Sequence, residues 1–108
     1  MLKKLNWTAT SNEERVIAIE KIKNVIDEND GIIVNFNMFS DLALALSIEI
    51  EENRIVPLYK DLNSILNISE FDAEKTRATS TREWLIFMNI SFSKGTGNFK
   101  TEIPDVPG

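Results

Sequence analysis

The clearest pattern in the chain is the alternation of residues 42–51, which read LALALSIEIE. In an extended chain, every second residue from Leu42 to Ile50 lies on one face, and that face is entirely Leu and Ile. A helix would scatter these side chains around its circumference. We therefore predict a half-buried strand, with a helix as the competing interpretation because Leu and Ala are good helix formers.

The residues before this strand predict a hairpin partner for it. Residues 32–39, IIVNFNMF, also alternate, and Ser40 and Asp41 follow with short polar side chains that favour a turn. Apolar residues recur at every second position in residues 2–9 and 84–93 as well. These two segments are predicted to be the first and last strands.

Two other segments have helical spacing of their apolar residues. In the first, Ser11 and Glu14 predict a capping box at the start, and Asp30 with Gly31 predicts the end. The second helix is predicted to begin near Asn53, a possible N-cap, and to end at residue 67. Residues 69–83 then form a long polar connection.

The predicted order is strand, helix, strand, strand, helix, strand, which places the chain in the α+β class. This order resembles the ferredoxin-like βαββαβ superfold, which implies a four-stranded antiparallel sheet with two helices on one face. The length of 108 residues predicts a single domain, with a compact core at about residues 2–93 and an extended C-terminal tail at 94–108. Many unrelated functions share this superfold, so it says little about activity.

The composition excludes several kinds of chemistry. The chain has no Cys and no His. It therefore lacks a disulfide framework, a thiol nucleophile, imidazole acid–base catalysis and the ligands of most zinc, copper and iron sites. We predict no catalytic residues, no metal and no cofactor, which favours binding over catalysis.

The charge pattern limits the partners. Net charge is −5 at pH 7, and the Lys and Arg residues form no dense cluster, so a nucleic-acid partner is not expected. No segment has the length and apolarity of a membrane span, and no apolar run follows Lys3 and Lys4 as it would in a secretion signal. We expect a cytoplasmic protein with no membrane partner.

The sheet face that the helices leave uncovered is the main candidate interface. It is too apolar to be left wholly to water, yet it carries amides and hydroxyls. If the strand registers match, Ile33 also lies on this uncovered face. Coverage by residues 69–83 or by the tail is the alternative to an interface. The candidate ligand or interface residues are Asn35, Asn37, Phe39, Ala43, Ala45, Ser47, Phe87 and Asn89.

Three other features are weighed and given less importance. Glu49, Glu51 and Glu52 form the densest carboxylate group, but a third metal ligand is not set by the sequence, and solvated charges are the favoured interpretation. Lys94 and Lys100 flank a glycine-containing turn and are candidates for anion binding. The segment 76–82, TRATSTR, could hold a phosphate or carboxylate group, although solvation is favoured.

The favoured functional hypothesis is a small non-catalytic module that acts through self-association as a homodimer or through a protein partner. One alternative is a small-ligand sensor or enzyme with a polar pocket at Asn35, Asn37 and Asn89. The other alternative is an acidic protein that neutralises a basic protein partner.

Overall fold

The computed structural model of the chain describes residues 2–94. The strands are β1 (Lys3–Glu14), β2 (Ile32–Ser40), β3 (Ala43–Glu51), β4 (Asn67–Ile68) and β5 (Glu83–Lys94). The helices are α1 (Arg15–Glu28) and α2 (Ile55–Asn63), with 3-10 turns at Glu52–Arg54 and Ala73–Lys75. The alternation at residues 42–51 therefore does form a strand, and the helical interpretation of it is wrong.

The sheet has five strands in the order β2-β3-β5-β1-β4. β5 is antiparallel to β3 but parallel to β1, so the sheet is mixed. The prediction of a four-stranded antiparallel ferredoxin-like sheet is wrong. In a ferredoxin-like sheet, the last strand pairs antiparallel with the first at the sheet edge. Here the two-residue β4 holds that edge position, and β5 lies between β3 and β1.

Both helices pack on one face of this sheet. Ala18, Ile22 and Ile26 of α1 are buried in the same core as Ile55, Leu58 and Leu62 of α2. The sheet contacts them through alternate side chains of its three central strands: Trp7 and Ala9 of β1; Leu44, Leu46, Ile48 and Ile50 of β3; and Trp84, Ile86, Met88, Ile90 and Phe92 of β5. One continuous apolar layer therefore holds the helices to the three central strands.

The turn between α1 and β2 forms a Schellman motif. The amide of Gly31 donates to Ile26 O at 2.9 Å, and the amide of Asp30 donates to Asp27 O at 3.1 Å. Asp30, not Gly31, takes the left-handed conformation, with φ of 62°. A glycine is needed at position 31 for a different reason, which is lack of space. A Cβ there would lie 3.0 Å from Ile26 Cγ2 and 3.1 Å from Ile48 Cγ2.

The predicted capping box at the start of α1 is also wrong. Ser11 is a buried residue of β1, aligned with Phe92 of β5, and its hydroxyl accepts from the amide of Glu13 at 3.1 Å. The helix begins four residues later, at Arg15, without a side-chain cap. Asn53 likewise does not cap α2, whose N-cap position is Arg54.

The polar connection between β4 and β5 packs on the side of the sheet that carries the helices. Phe71 lies against Trp7 of β1 and Tyr59 of α2, with ring centroids 5.5 and 5.3 Å away. The Tyr59 hydroxyl donates to Ser69 O at 2.9 Å, and the Ser69 amide donates to Thr8 O at 2.8 Å. These contacts hold the start of the connection beside β1, away from the uncovered sheet face.

Candidate functional site

The uncovered sheet face brings together seven of the eight predicted interface residues. The strand registers align Asn6, Phe87, Ser47 and Asn35 in one row across the sheet. The next row contains Thr8, Asn89, Ala45 and Asn37, and the row after it contains Thr10, Ser91 and Ala43. The prediction that these side chains share one face follows from strand alternation alone.

Two bulges in β2 separate Phe39 and Ile33 from this face. The register shifts between Ile33 and Asn35, and again between Met38 and Ser40. Ile33 is aligned with the buried Ile48, so it packs on the helix side of the sheet, and its predicted placement is wrong. Phe39 stands at the second bulge, outside the regular rows, with 67% of its surface exposed.

The uncovered face is polar and open. Asn35, Asn37 and Asn89 are exposed, and Ser47 is buried among its neighbours. The Lys4 Nζ atom lies 6.0 Å from the centre of the Phe87 ring. Asn35, Asn37 and Asn89 line none of the five well-defined surface depressions on the described residues. The three amides therefore share a face without lining any of these depressions.

Exposed apolar side chains are instead concentrated at the free edge of β2. We call the outer edge of this strand, with its exposed side chains Ile32, Val34, Phe36 and Phe39, the β2 edge surface. Leu42 in the following turn and Val16 at the start of α1 extend it, since Val16 borders a depression shared with Phe36 and Met38. Sequence alternation identified these residues as strand, but only the strand order shows that the strand is an edge.

Charged groups border the β2 edge surface at both ends. Arg15 and Asp41 form an ion pair of 2.8 Å where β2 ends. Near its beginning, Lys23 and Asp27 line a depression with Ile32. The Lys23 Nζ atom also lies 5.1 Å from the centre of the Phe36 ring, where a cation–π attraction is expected.

The carboxylates of Glu49, Glu51 and Glu52, at the end of β3, have different surroundings. Glu51 is exposed and Glu49 is half-buried, whereas Glu52 is only 6% exposed. The Glu52 carboxylate accepts from the Arg77 amide at 2.8 Å. Hydrogen bonding by the Ser80 side chain is the largest cause that lowers the Glu52 pKa, and the Arg77 amide and guanidinium act in the same direction. Glu52 therefore ties residues 77–80 to the sheet as an ionised carboxylate.

A polar cleft beside Glu52 was not expected from the sequence. Lys3, Lys75, Arg77 and Arg82 line it together with Glu52, Glu74, Ser80 and Trp84, around a volume of about 350 Å³. Two of these cations, Arg77 and Arg82, belong to the segment 76–82, for which the sequence offers phosphate or carboxylate binding as one interpretation. The convergence of Lys3 with them depends on β1 lying next to β5, which the sequence did not show.

The predicted anion site at Lys94 and Lys100 stays a prediction. Lys94 is the exposed last residue of β5 and is aligned with Glu14. Lys100 lies outside the described residues, as do the glycine-containing turn and residues 95–108 of the predicted tail.

Comparison with protein-family models, with curated proteins and with solved structures finds no match to this chain. Within residues 2–94, no helix combines the length and apolarity needed to cross a membrane. The same residues contain no group of three or more acidic side chains placed to hold a metal ion. The functional argument therefore rests on the surfaces described above.

Proposed function

We propose that the chain is a non-catalytic module that acts by self-association, and that two copies pair through their β2 edge surfaces. One observation carries the proposal. β2 is a nine-residue edge strand that pairs only with β3, so the polar backbone groups along its other side have no strand partner among the described residues. Such an edge is a template for another strand.

The composition of β2 supports pairing. Residues 32–40, IIVNFNMFS, contain no charged residue and no proline, the two devices that proteins commonly use to block an edge. The opposite edge of the sheet is β4, which has only two residues. β4 covers only Ala9 and Thr10, so the rest of that edge is β1, which carries the charged residues Lys3, Lys4, Glu13 and Glu14. The β2 edge is the uncharged one and the one with exposed apolar side chains.

A two-fold arrangement fits this strand. In antiparallel pairing about an axis perpendicular to the sheet, side chains of the same face meet, so Phe36 and Met38 would pack against the same two residues of the second copy. The bulges leave Asn35–Met38 as the regular stretch, so the backbone contact is short and the apolar side chains around it supply the rest.

The charges around the β2 edge surface favour pairing with a second copy of the chain, although each copy has a net charge of −5. Because β2 itself is uncharged, pairing places no like charges directly opposite each other. Antiparallel pairing also sets the beginning of one strand, near Lys23 and Asp27, against the end of the other, near Arg15 and Asp41. Each end offers both signs of charge to the other.

The test is light scattering over a dilution series in the micromolar range. We expect a dimer that dissociates on dilution, and we expect Val34→Lys to raise the dimer Kd at least about tenfold, because it places an unpaired ammonium group of each copy among the apolar side chains of the interface. Val34 is 51% exposed, so this variant is expected to fold.

The matched control is Asn89→Lys, which puts the same charge in the middle of the uncovered sheet face. It should leave the dimer Kd unchanged. If Asn89→Lys dissociates the dimer and Val34→Lys does not, the interface is the sheet face and the proposal is wrong. A chain that is monomeric at every concentration would also overturn it.

A further inference from the structure

The basic cleft beside Glu52 gathers cations from two distant parts of the sequence, the start of β1 and the connection between β4 and β5. Lys3 comes from the start of β1 and Lys75 from a 3-10 turn, while Arg77 and Arg82 come from the connection to β5. None of the four forms an ion pair within 4.0 Å among residues 2–94. We propose that this cleft binds the phosphate group of a small molecule.

The charge balance of the cleft opposes that of the whole chain. Four cationic side chains and two carboxylates, Glu52 and Glu74, line it, which leaves an excess of two positive charges in a chain of net charge −5. The excess of two positive charges that the carboxylates leave favours an additional anion in this space. The arrangement suits an anion that carries two charges, as a phosphate monoester does at neutral pH.

Glu52 does not compete for the cations as a free carboxylate would. One of its oxygens accepts from the Arg77 amide at 2.8 Å, and the Ser80 side chain is the largest influence that lowers its pKa. Its carboxylate therefore serves as part of the cleft wall. The guanidinium groups of Arg77 and Arg82 keep donors available, and guanidinium matches phosphate oxygens in pairs.

The backbone around the cleft is fixed before any ligand binds. The Glu52 amide donates to Arg82 O at 2.7 Å, and the Asn53 amide donates to Ser80 O at 2.9 Å. The Arg82 amide donates to the Ser80 hydroxyl at 3.1 Å. Because these bonds hold residues 80–82 against the end of β3, less conformational entropy is lost on binding.

The cleft also contains its own spectroscopic reporter. Trp84 lines it and is 5% exposed, and the Lys3 Nζ atom lies 5.8 Å from the centre of the Trp84 ring. An anion that draws Lys3 or Arg82 inward would change the surroundings of this indole. The volume of about 350 Å³ suits a small phosphorylated molecule and not a nucleic-acid strand.

The experiment is a titration of the full chain with inorganic phosphate at constant ionic strength, followed by amide and indole NMR shifts. We expect saturable shifts confined to residues that line the cleft, which include Lys75, Arg77, Ser80, Arg82 and Trp84. Arg82→Gln and Lys75→Gln should each weaken phosphate binding at least about fivefold, since each removes one cation from the cleft. Lys75 is exposed, so its variant remains informative if Arg82→Gln does not fold.

Lys21→Gln is the matched control, because it removes one positive charge from α1, where Lys21 pairs with Glu13 at 2.8 Å. It should bind phosphate as the unchanged chain does. Shifts that never saturate, or equal weakening by Lys21→Gln and Arg82→Gln, would show general ion screening and overturn the proposal. Acetate at the same concentration should bind at least about tenfold more weakly, and equal binding would overturn the assignment to phosphate.

Discussion

At the end of α1, Asp30 takes the left-handed conformation that is expected of Gly31. The sequence predicts a helix end there, and α1 does end at Glu28. The residue with positive φ is Asp30, which tolerates the left-handed region better than most residues. Gly31 is required because the side chains of Ile26 and Ile48 occupy the space of a Cβ there, and the contact with Ile48 is a tertiary one that the local sequence does not reveal.

Gly31→Ala is therefore expected to destabilise the chain by about 1–3 kcal/mol, because the added methyl group must displace Ile26 or Ile48 in the core. Urea unfolding followed by circular dichroism measures this change. Asn24→Ala, on an exposed position of α1, serves as the control and should change stability by less than about 0.5 kcal/mol. Equal stability of the two variants would show that the backbone yields at residue 31.

The sequence predicts solvated carboxylates at the end of β3. This prediction is correct for the exposed Glu51 but wrong for the buried Glu52. Glu52 follows the last residue of β3, where the 3-10 turn bends the chain toward Ser80 and Arg77. The partners that bury it lie 25 and more residues later in the sequence. No local pattern in residues 49–52 distinguishes the buried carboxylate from its neighbours.

Stability should depend on pH through Glu52. Its pKa is lowered in the folded chain below the ordinary value of 4.5, so the folded state favours the ionised form. The stabilisation is complete above about pH 4.5 and is lost as pH falls through the folded pKa. Urea unfolding at a series of pH values should show this loss, together with a lower hydrogen-exchange protection factor of the Arg77 amide, corrected for the intrinsic rate at each pH.

Glu52→Gln should remove this part of the acid dependence, because the amide cannot ionise. Glu51→Gln is the matched control on the adjacent exposed residue and should keep the pH profile of the unchanged chain. If both variants retain the full acid dependence, other carboxylates are responsible and the role assigned to Glu52 is wrong.

At the scale of elements, periodicity predicted the type of every main strand and helix but not where β1 ends. Residues 11–14 have the local features of a helix start, yet they continue β1 as far as Glu14. The 12-residue β5 lies alongside and supplies strand pairing up to Ser11 and again at Glu14. Long-range strand pairing thus overrides a local capping preference worth about 1 kcal/mol.

One aromatic side chain packs the polar connection against the core, in addition to the hydrogen bonds that hold it. Phe71→Ala should destabilise the chain by about 1–3 kcal/mol, because Phe71 packs on both Trp7 and Tyr59. It should also speed tryptic cleavage at Arg77 and Arg82 as the connection loosens. Urea unfolding and limited proteolysis measure these two effects.

Phe39→Ala offers a control for this substitution, since it makes the same change at an exposed phenylalanine. Its stability as a monomer should be nearly unchanged, and its cleavage rate at Arg77 should match that of the unchanged chain. Unchanged cleavage in Phe71→Ala would mean that the hydrogen bonds of Tyr59, Ser69 and Thr8 suffice to hold the connection.

At the scale of the whole molecule, the strand order could not be predicted. Alternation shows which side chains share a face, but it does not show which strands are neighbours. The uncovered face was therefore largely predicted, with Phe39 and Ile33 as exceptions because bulges shift their register. The free edge of β2 and the convergence of Lys3 with Arg82 both depend on strand order, so neither could be predicted.

Hydrogen exchange should rank the strands by their place in the sheet. β5 is paired on both sides, so the amides of residues 86–90 should exchange only through global unfolding. In dilute solution, where a dimer would be dissociated, the outward amides of β2 should exchange at least about tenfold faster than the amides of residues 86–90. Equal protection of β2 and β5 under those conditions would contradict the strand order.

The position of β5 has a consequence for synthesis. A ribosome delivers β1 and β3 before it delivers residues 83–94, and the strand that must join them is the last one described. Until then, β1 and β3 must remain about 10 Å apart or collapse on each other in the wrong register. The sheet therefore closes only after residues 83–94 have been made, and a chain truncated before residue 83 lacks the strand that joins β1 to β3.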